Sequence, residues 1–317
     1  MAEFPIITIG ITCYNAQDTI KRAVQSAVDQ EWESKDILVV DDCSTDQSAD
    51  VLSDLKKTYP DLRVVTHENN QGAAAARNTL VDNAKGEYIA FFDDDDESLP
   101  TRLTRQYERI QSYERETGEA YIACYVSGQR LYPNGYRLPF KAIGTQAPIP
   151  YGTGMADQIL FFGGPKGWSH GGTPSCSLMI KVSTIKDVGG FDVSLRRVED
   201  LDLAVRLSME GAHFIGCPEV LLNQYVTWSE DKGAEANLKG EQAIVEKHKA
   251  YLKGINRYIY ARDWPRLRYY HFKKRYIMFV LLLLKLLCLY PVAVTCHILK
   301  TGPARVLHER KMNAKSS

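Results

Sequence analysis

Apolar and polar residues fall along this chain in blocks of two kinds. Short, largely apolar runs occur at Pro5 to Thr12, Lys35 to Val40, Leu62 to Thr66 and Tyr88 to Phe92. Such runs, rich in β-branched and aromatic residues, predict strands covered on both faces. Between them the apolar positions take a helical period. Asp18 to Gln30 sets Ile20, Ala23, Val24, Ala27 and Val28 on one face, and alanine-rich Gly72 to Ala84 predicts another helix, ended by Gly86. The polar loop Asp41 to Asp46 can cap the helix that follows it. Strands alternating with helices at this spacing predict right-handed βαβ units and a mainly parallel sheet.

The second half is less regular. Ala120 to Ser127 and Ser175 to Lys181 read as strands, and Asn134-Gly135 marks a hairpin turn. Pro139 to Pro174, rich in Gly and Pro, predicts a long surface loop. Glu199 to Glu210 is a short amphipathic helix ended by Gly211, and carboxylates in its first turn suit the helix dipole. His213, just before an apolar run, reads as structural.

In open α/β sheets, ligands bind beyond the carboxyl ends of the strands. Three strand ends here are polar: Thr12 to Asn15, Asp41-Asp42, and Asp93 to Asp96. Four adjacent carboxylates repel one another, and burying them unpaired is expensive. A divalent cation carrying a polyphosphate relieves that cost, and oxygen ligands suit Mg²⁺ or Mn²⁺. The alternative is a solvated acidic turn capping a helix that begins near Pro100.

With 317 residues, 44% of them hydrophobic, the chain can bury a large core, and one large domain with an appendage is expected. The net charge of zero averages two unlike parts. From Lys253 onward there are fourteen Lys or Arg against two acids, Asp263 and Glu309; the remainder carries 25 basic and 37 acidic residues. A basic tail on an acidic body points to an anionic surface, phospholipid or nucleic acid. Seven scattered cysteines without a CxxC pair argue against a disulfide framework or zinc site and fit a reducing compartment. The N-terminus enters a strand without a basic region, so no signal peptide is expected. There is no GxGxxG, and Gly163 to Gly167 lacks the order of a phosphate loop.

Tyr276 to Tyr290 is the most hydrophobic run, followed by Pro291. Phe279 to Leu299 would make a helix of about 31 Å, just enough for a bilayer. Lys285 inside it, the break expected at Pro291, and basic flanks on both sides weigh against a simple span. A helix pair lying in the membrane interface accommodates all three and is the favoured reading; a buried core hairpin is the alternative.

The ordered set TCYN, VVDDCSTD, AARN, FFDDDD and GGFDVSLRRVEDLDL resembles the family-2 glycosyltransferases of the GT-A fold, over about Ile6 to Leu207. The resemblance implies a Rossmann-like mixed sheet flanked by helices. It also implies an inverting transferase that moves a sugar from a nucleoside diphosphate, most simply UDP, to an acceptor hydroxyl. Thr12, Tyr14, Asn15 and Asp42 would hold the nucleoside, with Tyr14 stacked on the base and Asp42 accepting from its imide. Arg77 would lie beside the base or diphosphate. Asp93-Asp94-Asp95 match the DxD position, with Asp94 near the ribose and Asp95 on Mn²⁺ or Mg²⁺. Glu199-Asp200 match the ED motif, with Asp200 as general base. Glu199, His170 and Trp168 are candidates for acceptor or diphosphate contacts, with an uninvolved surface histidine the favoured alternative for His170 and loop packing that for Trp168.

The implied layout is a catalytic domain at 1–232, with a nucleotide half to about 118 and an acceptor half from about 119. A membrane-associating region follows at 233–317. A glycan or lipid-linked acceptor in surface polysaccharide synthesis, at the cytoplasmic side of the inner membrane, is the expected setting. Two alternatives stand. A nucleotidyltransferase would need a Gly-rich signature that TCYNAQDT lacks, and a non-catalytic nucleotide-sugar or membrane-binding module would show no turnover.

Overall fold

A computed structural model describes residues 4–165, 167–168, 171–226 and 233–299. The chain begins β1 (Ile7–Cys13), α1 (Ile20–Val28), β2 (Lys35–Asp41), α2 (Ser48–Thr58), β3 (Arg63–Thr66), α3 (Ala73–Asn83), β4 (Tyr88–Asp93). These four strands are parallel, in the order β3-β2-β1-β4. Ile7, Ile9, Ile11, Leu38, Val39 and Val40 are fully enclosed, as residues on both faces of a covered parallel sheet must be.

After β4 the pattern changes. β5 (Glu97–Ser98), α4 (Arg102–Thr117), β6 (Ile122–Leu131), β7 (Arg137–Phe140) and α5 (Gly152–Phe161) lead to a 3₁₀ turn at Ser175–Ser177. Then come β8 (Leu178–Lys181), α6 (Val182–Asp187), α7 (Glu199–Met209) and β9 (His213–Tyr225). Among the described residues the sheet has nine strands, in the order β3-β2-β1-β4-β8-β6-β9-β5, with β7 beside β6. β8 runs antiparallel to both β4 and β6, while β6 and β9 are parallel. The result is the expected mixed sheet flanked by helices. Parallel pairing is confined mostly to its N-terminal half.

Two local expectations need correction. Gly86 does not end α3, whose last turn passes into the extended residue Ala84. A Cβ on Gly86 would stand 2.5 Å from the Ile6 carbonyl and 2.6 Å from Thr8 N, so glycine is required by close approach to β1. The expected surface loop 139–174 contains α5, and Ala142, Ile143, Met155, Ala156 and Trp168 are buried. Gly and Pro in this stretch disguise short apolar patches that pack.

The chain divides into two compact units. The first takes in 4–131, 137–155 and the described residues of 165–226; the second takes in 132–136, 156–164 and 233–299. The Tyr132–Tyr136 turn closes through Tyr132 N to the Tyr136 carbonyl at 2.9 Å, with Gly135 at φ 76°, as Asn-Gly predicts.

The second unit holds α8 (Ala234–Lys247), α9 (Lys249–Gly254), α10 (Tyr258–Phe272) and α11 (Tyr276–Leu289). Its small core gathers Tyr260, Leu267, Leu286 and Val294, with Phe161, Trp264 and Phe279 against them. The helix breaks at Tyr290, ahead of Pro291, and resumes over 291–299. Among the described residues no helix is long and apolar enough to cross a membrane.

Candidate active site

Strand register builds the site's rim. Thr12 sits beside Val40 on one side and Asp93 on the other, and Cys13 sits beside Asp41. The ends of β1, β2 and β4 therefore present their polar residues together. Beyond β1, Tyr14 is 48% exposed, and its backbone N–H donates to Asp94 Oδ2 at 2.9 Å. Asn15 takes a left-handed conformation (φ 51°); its N–H donates to Ser44 Oγ and its Oδ1 accepts from Thr45 N, at 2.9 and 2.8 Å. It joins the loop after β1 to the loop after β2.

Asp42 is almost wholly buried and serves as an anchor. Its carboxylate accepts from Gln71 N at 2.9 Å and Gly72 N at 2.7 Å, and His67 Nδ1 lies 2.7 Å away. His67 Nε2 in turn lies 2.9 Å from Thr79 Oγ1. The carboxylate thus ties the loop before α3 to the end of β2. Any contact to a base would have to use the lone pairs these donors leave.

The acidic run divides by side-chain role. Asp96 turns inward, accepting from Tyr225 N at 3.3 Å and Gln224 Nε2 at 3.4 Å. Asp93, Asp94 and Asp95 are half-buried on the rim. Arg22 Nη2 donates to the Asp95 carbonyl at 2.6 Å and its guanidinium lies over the Tyr225 ring, holding the turn from one side. Arg102 is fully enclosed, donating to Phe91 O, Ser98 Oγ and Gln106 Oε1 at 3.0, 2.8 and 3.1 Å. Burial and the neighbouring carboxylates push Asp94 up to about 7 and Asp96 up to about 8.

Arg77 connects this turn to α7. Its Nη1 donates to Glu199 Oε1 at 2.5 Å and its Nη2 to Asp93 Oδ1 at 3.3 Å. Burial disfavours its charge, but Asp93, Glu199 and Asp200 outweigh that and hold it cationic. Val198, in a left-handed conformation (φ 62°), turns the chain into α7, and Asp200 follows in the first turn. Asp200 Oδ1 accepts from Leu201 N at 2.8 Å. Its pKa is raised to about 6 by burial and by Glu199, against the pull of Arg77. Arg206 moors the helix through Asp202 and the Val188 and Gly190 carbonyls. Asn78 pairs reciprocally with the Phe191 backbone at 2.8 and 2.7 Å.

The structure therefore brings Arg77, Asp93, Glu199 and Asp200 into one cluster, with Thr12, Tyr14 and Asp94 beside Asp93. Glu199 is 9% exposed and committed to Arg77, so it faces the protein rather than an acceptor. Trp168 is buried with its ring 6.2 Å from that of Tyr151, as loop packing requires. His170 lies outside the described residues. Arg22, His67 and Arg102 were not singled out by sequence. Only Arg102 leaves a trace there, an Arg and a Gln four apart that meet on one helix face.

Crowded carboxylates on a strand end are a donor set that fits a hard divalent cation. Asp93, Asp96 and Cys176 bring one ligand atom each within 4.8 Å of one another. Burial keeps the Cys176 thiol protonated and Asp96 faces inward, so of these three groups Asp93 is the oxygen donor open to the rim.

Residues 8–158 match the family described as Glycosyl transferase family 2. The succinoglycan biosynthesis protein ExoO of Rhizobium meliloti (strain 1021) is 38% identical over 110 residues, which are 35% of this chain and 31% of that protein. The Escherichia coli UDP-Glc:alpha-D-GlcNAc-diphosphoundecaprenol beta-1,3-glucosyltransferase WfaP is 40% identical over 109 residues, 34% of this chain and 42% of that one. The matched segment thus spans less than half the length of these relatives. The crystal structure of S. aureus TarS 1-349 in complex with UDP-GlcNAc superposes with a TM-score of 0.58, covering 84% of this chain and 73% of that one. At 17% identity that likeness establishes the fold.

Proposed function

We propose, for a chain whose residues 8–158 form a glycosyl transferase family 2 domain, that it transfers a sugar with inversion from a UDP-sugar to an acceptor hydroxyl. The acceptor is a glycan or lipid-linked intermediate of surface polysaccharide synthesis. One observation carries this reading: Asp200, raised to about 6, stands in the cluster that Arg77 links to the acidic turn. The named substrates of WfaP and the UDP-GlcNAc bound to TarS support the donor and acceptor classes.

Tyr14, exposed at the rim, stacks on the base, while Thr12 and Asp94 line the path to the ribose. Asp200 is ionised at pH 7 yet more basic than an ordinary carboxylate. It takes the proton of the acceptor hydroxyl as that oxygen bonds to the anomeric carbon and the bond to the diphosphate oxygen breaks. The electron pair of the broken bond leaves with UDP. Arg77 keeps Asp200 ionised and fixes α7 against β4. A divalent ion held by Asp95 and Asp93 would supply Lewis-acid stabilisation of the departing diphosphate.

A panel of nucleotide sugars, with and without Mn²⁺, tests this. Turnover confined to a UDP-sugar and lowered at least about 100-fold by Asp200→Asn is expected. Sugar-nucleotide synthesis from a nucleoside triphosphate would make the protein a nucleotidyltransferase. Thermal shift without turnover by any donor would make it a binding module.

A further inference from the structure

The α10–α11 region carries a surface that the transfer reaction does not account for. Apart from Lys285, α11 is apolar around its circumference, which suits a buried helix or one in lipid. Yet only Leu286 is fully buried within it, while Phe279, Leu282, Leu283 and Leu287 pack toward the small core. The opposite side is open: Ile277 is 78% exposed, Leu281 60%, Leu284 54%, and beyond the break Val292 74% and Leu299 69%. Contiguous exposure of this kind marks an interaction face.

The charges beside it identify the occupant. Lys273, Lys274 and Arg275 are exposed in the turn joining α10 to α11. Residues 253–299 contain one acid, Asp263, and it is already committed. Its carboxylate is 1% exposed, 2.7 Å from both Arg262 Nε and Lys285 Nζ, and 3.5 Å from Arg266 Nη1. Lys285, the one charge within α11, is therefore satisfied inside the hairpin. A second copy docked on the same face with its α11 parallel would set two basic turns against each other. An anionic lipid surface attracts them. The geometry also excludes a crossing by α11: its 14 residues make about 21 Å of helix, short of the ~30 Å hydrocarbon core.

The geometry points to an anionic phospholipid bilayer as the partner of this face: α11 and 291–299 lie in the plane of the interface, apolar side down, with Lys273, Lys274 and Arg275 at the headgroups. This bears on the class of acceptor proposed above but is measured independently of it, because the binding assay contains no nucleotide sugar.

The test floats the full chain with vesicles of phosphatidylcholine and phosphatidylglycerol (about 7:3), or phosphatidylcholine alone, at low ionic strength. Binding to the anionic vesicles is expected. Ile277→Asp/Leu281→Asp should weaken it at least about tenfold. Lys273→Gln/Lys274→Asn should weaken it by about fivefold per charge on anionic vesicles only. That second pair leaves the apolar face intact, so the test stands even if the aspartates disturb folding. Protease added outside the vesicles should leave no protected fragment. Absence of wild-type flotation, a protected fragment, or binding by both variants equal to that of the wild type overturns the proposal. So does a dimer in sedimentation that Ile277→Asp/Leu281→Asp dissolves without any vesicle binding, which would give the face to a second copy.

Discussion

Arg77→Met is the most informative single change in the catalytic unit. The guanidinium is buried and shared by Glu199 at 2.5 Å and Asp93 at 3.3 Å, with Asp200 close enough to feel its field. Methionine fills similar volume but leaves Glu199, 9% exposed, without a counter-charge. Removing one partner of a buried pair costs about 3–5 kcal/mol, because the other charge stays desolvated. At roughly 2–4 °C per kcal/mol, the thermal midpoint should fall by about 6–20 °C. Glu199→Gln in the same background should recover much of that loss, since it deletes the orphaned charge. The catalytic effect has its own signature. Each ~1.4 kcal/mol of lost Arg77–Asp200 attraction raises the Asp200 pKa by one unit, so the acidic limb of the pH–rate profile moves toward neutrality. Urea unfolding of the two single variants and the double, together with pH profiles of donor turnover, measures both effects. If Arg77→Met loses less than about 1 kcal/mol and the limb stays in place, Arg77 is not a strut and the cluster argument fails.

In wild type, turnover should rise with pH and level off above about 6, because the base must be ionised; a falling profile across that range would refute the assignment of Asp200. Asp200→Asn should lower turnover about 10²–10⁴-fold while UDP affinity, read by calorimetry, stays within about twofold. The raised values of Asp94 and Asp96, about 7 and 8, have a stability consequence. Their folded-state pKa lies above that of the unfolded chain, so the stability they contribute is full below pH ~4 and is lost as pH rises toward 7–8, at ~1.4 kcal/mol per unit per group. The midpoint of metal-free protein should therefore fall from pH 5 to pH 8, and Mn²⁺ should raise it more at pH 8; a flat response would count against a charged cluster. Tyr14→Ala should weaken UDP binding by about 1–3 kcal/mol with little change in thermal midpoint, since the ring is exposed.

The parallel strands, the acidic end of β4 and the start of α7 were legible because each rests on local pattern. A β-branched run makes a covered strand wherever it falls, and four consecutive carboxylates announce an end. The rule that open α/β sheets bind ligands beyond the carboxyl ends of their strands then placed those ends on one rim. Local pattern misled where packing overrode it. Gly86 resembles a helix stop but is needed for backbone proximity to β1, and the Gly- and Pro-rich stretch around α5 has buried residues that no simple period displays.

What the residues determined alone was the kind of chemistry: oxygen donors for a cation, a carboxylate for a proton, an aromatic ring for a base. Which carboxylate does which task was decided by tertiary contact. His67 against Asp42 and Arg77 between β4 and α7 come from positions remote in sequence from the groups they hold, while Arg102 reaches back beneath the acidic turn from the helix just after it. Lys285 makes the same point, since a cation in an apolar helix reads as a defect until Asp263, 22 residues earlier, meets it. Pattern is a property of neighbours along the chain, whereas the pKa of a buried group is set by whatever charges folding brings within a few ångströms, and only the assembled molecule specifies those.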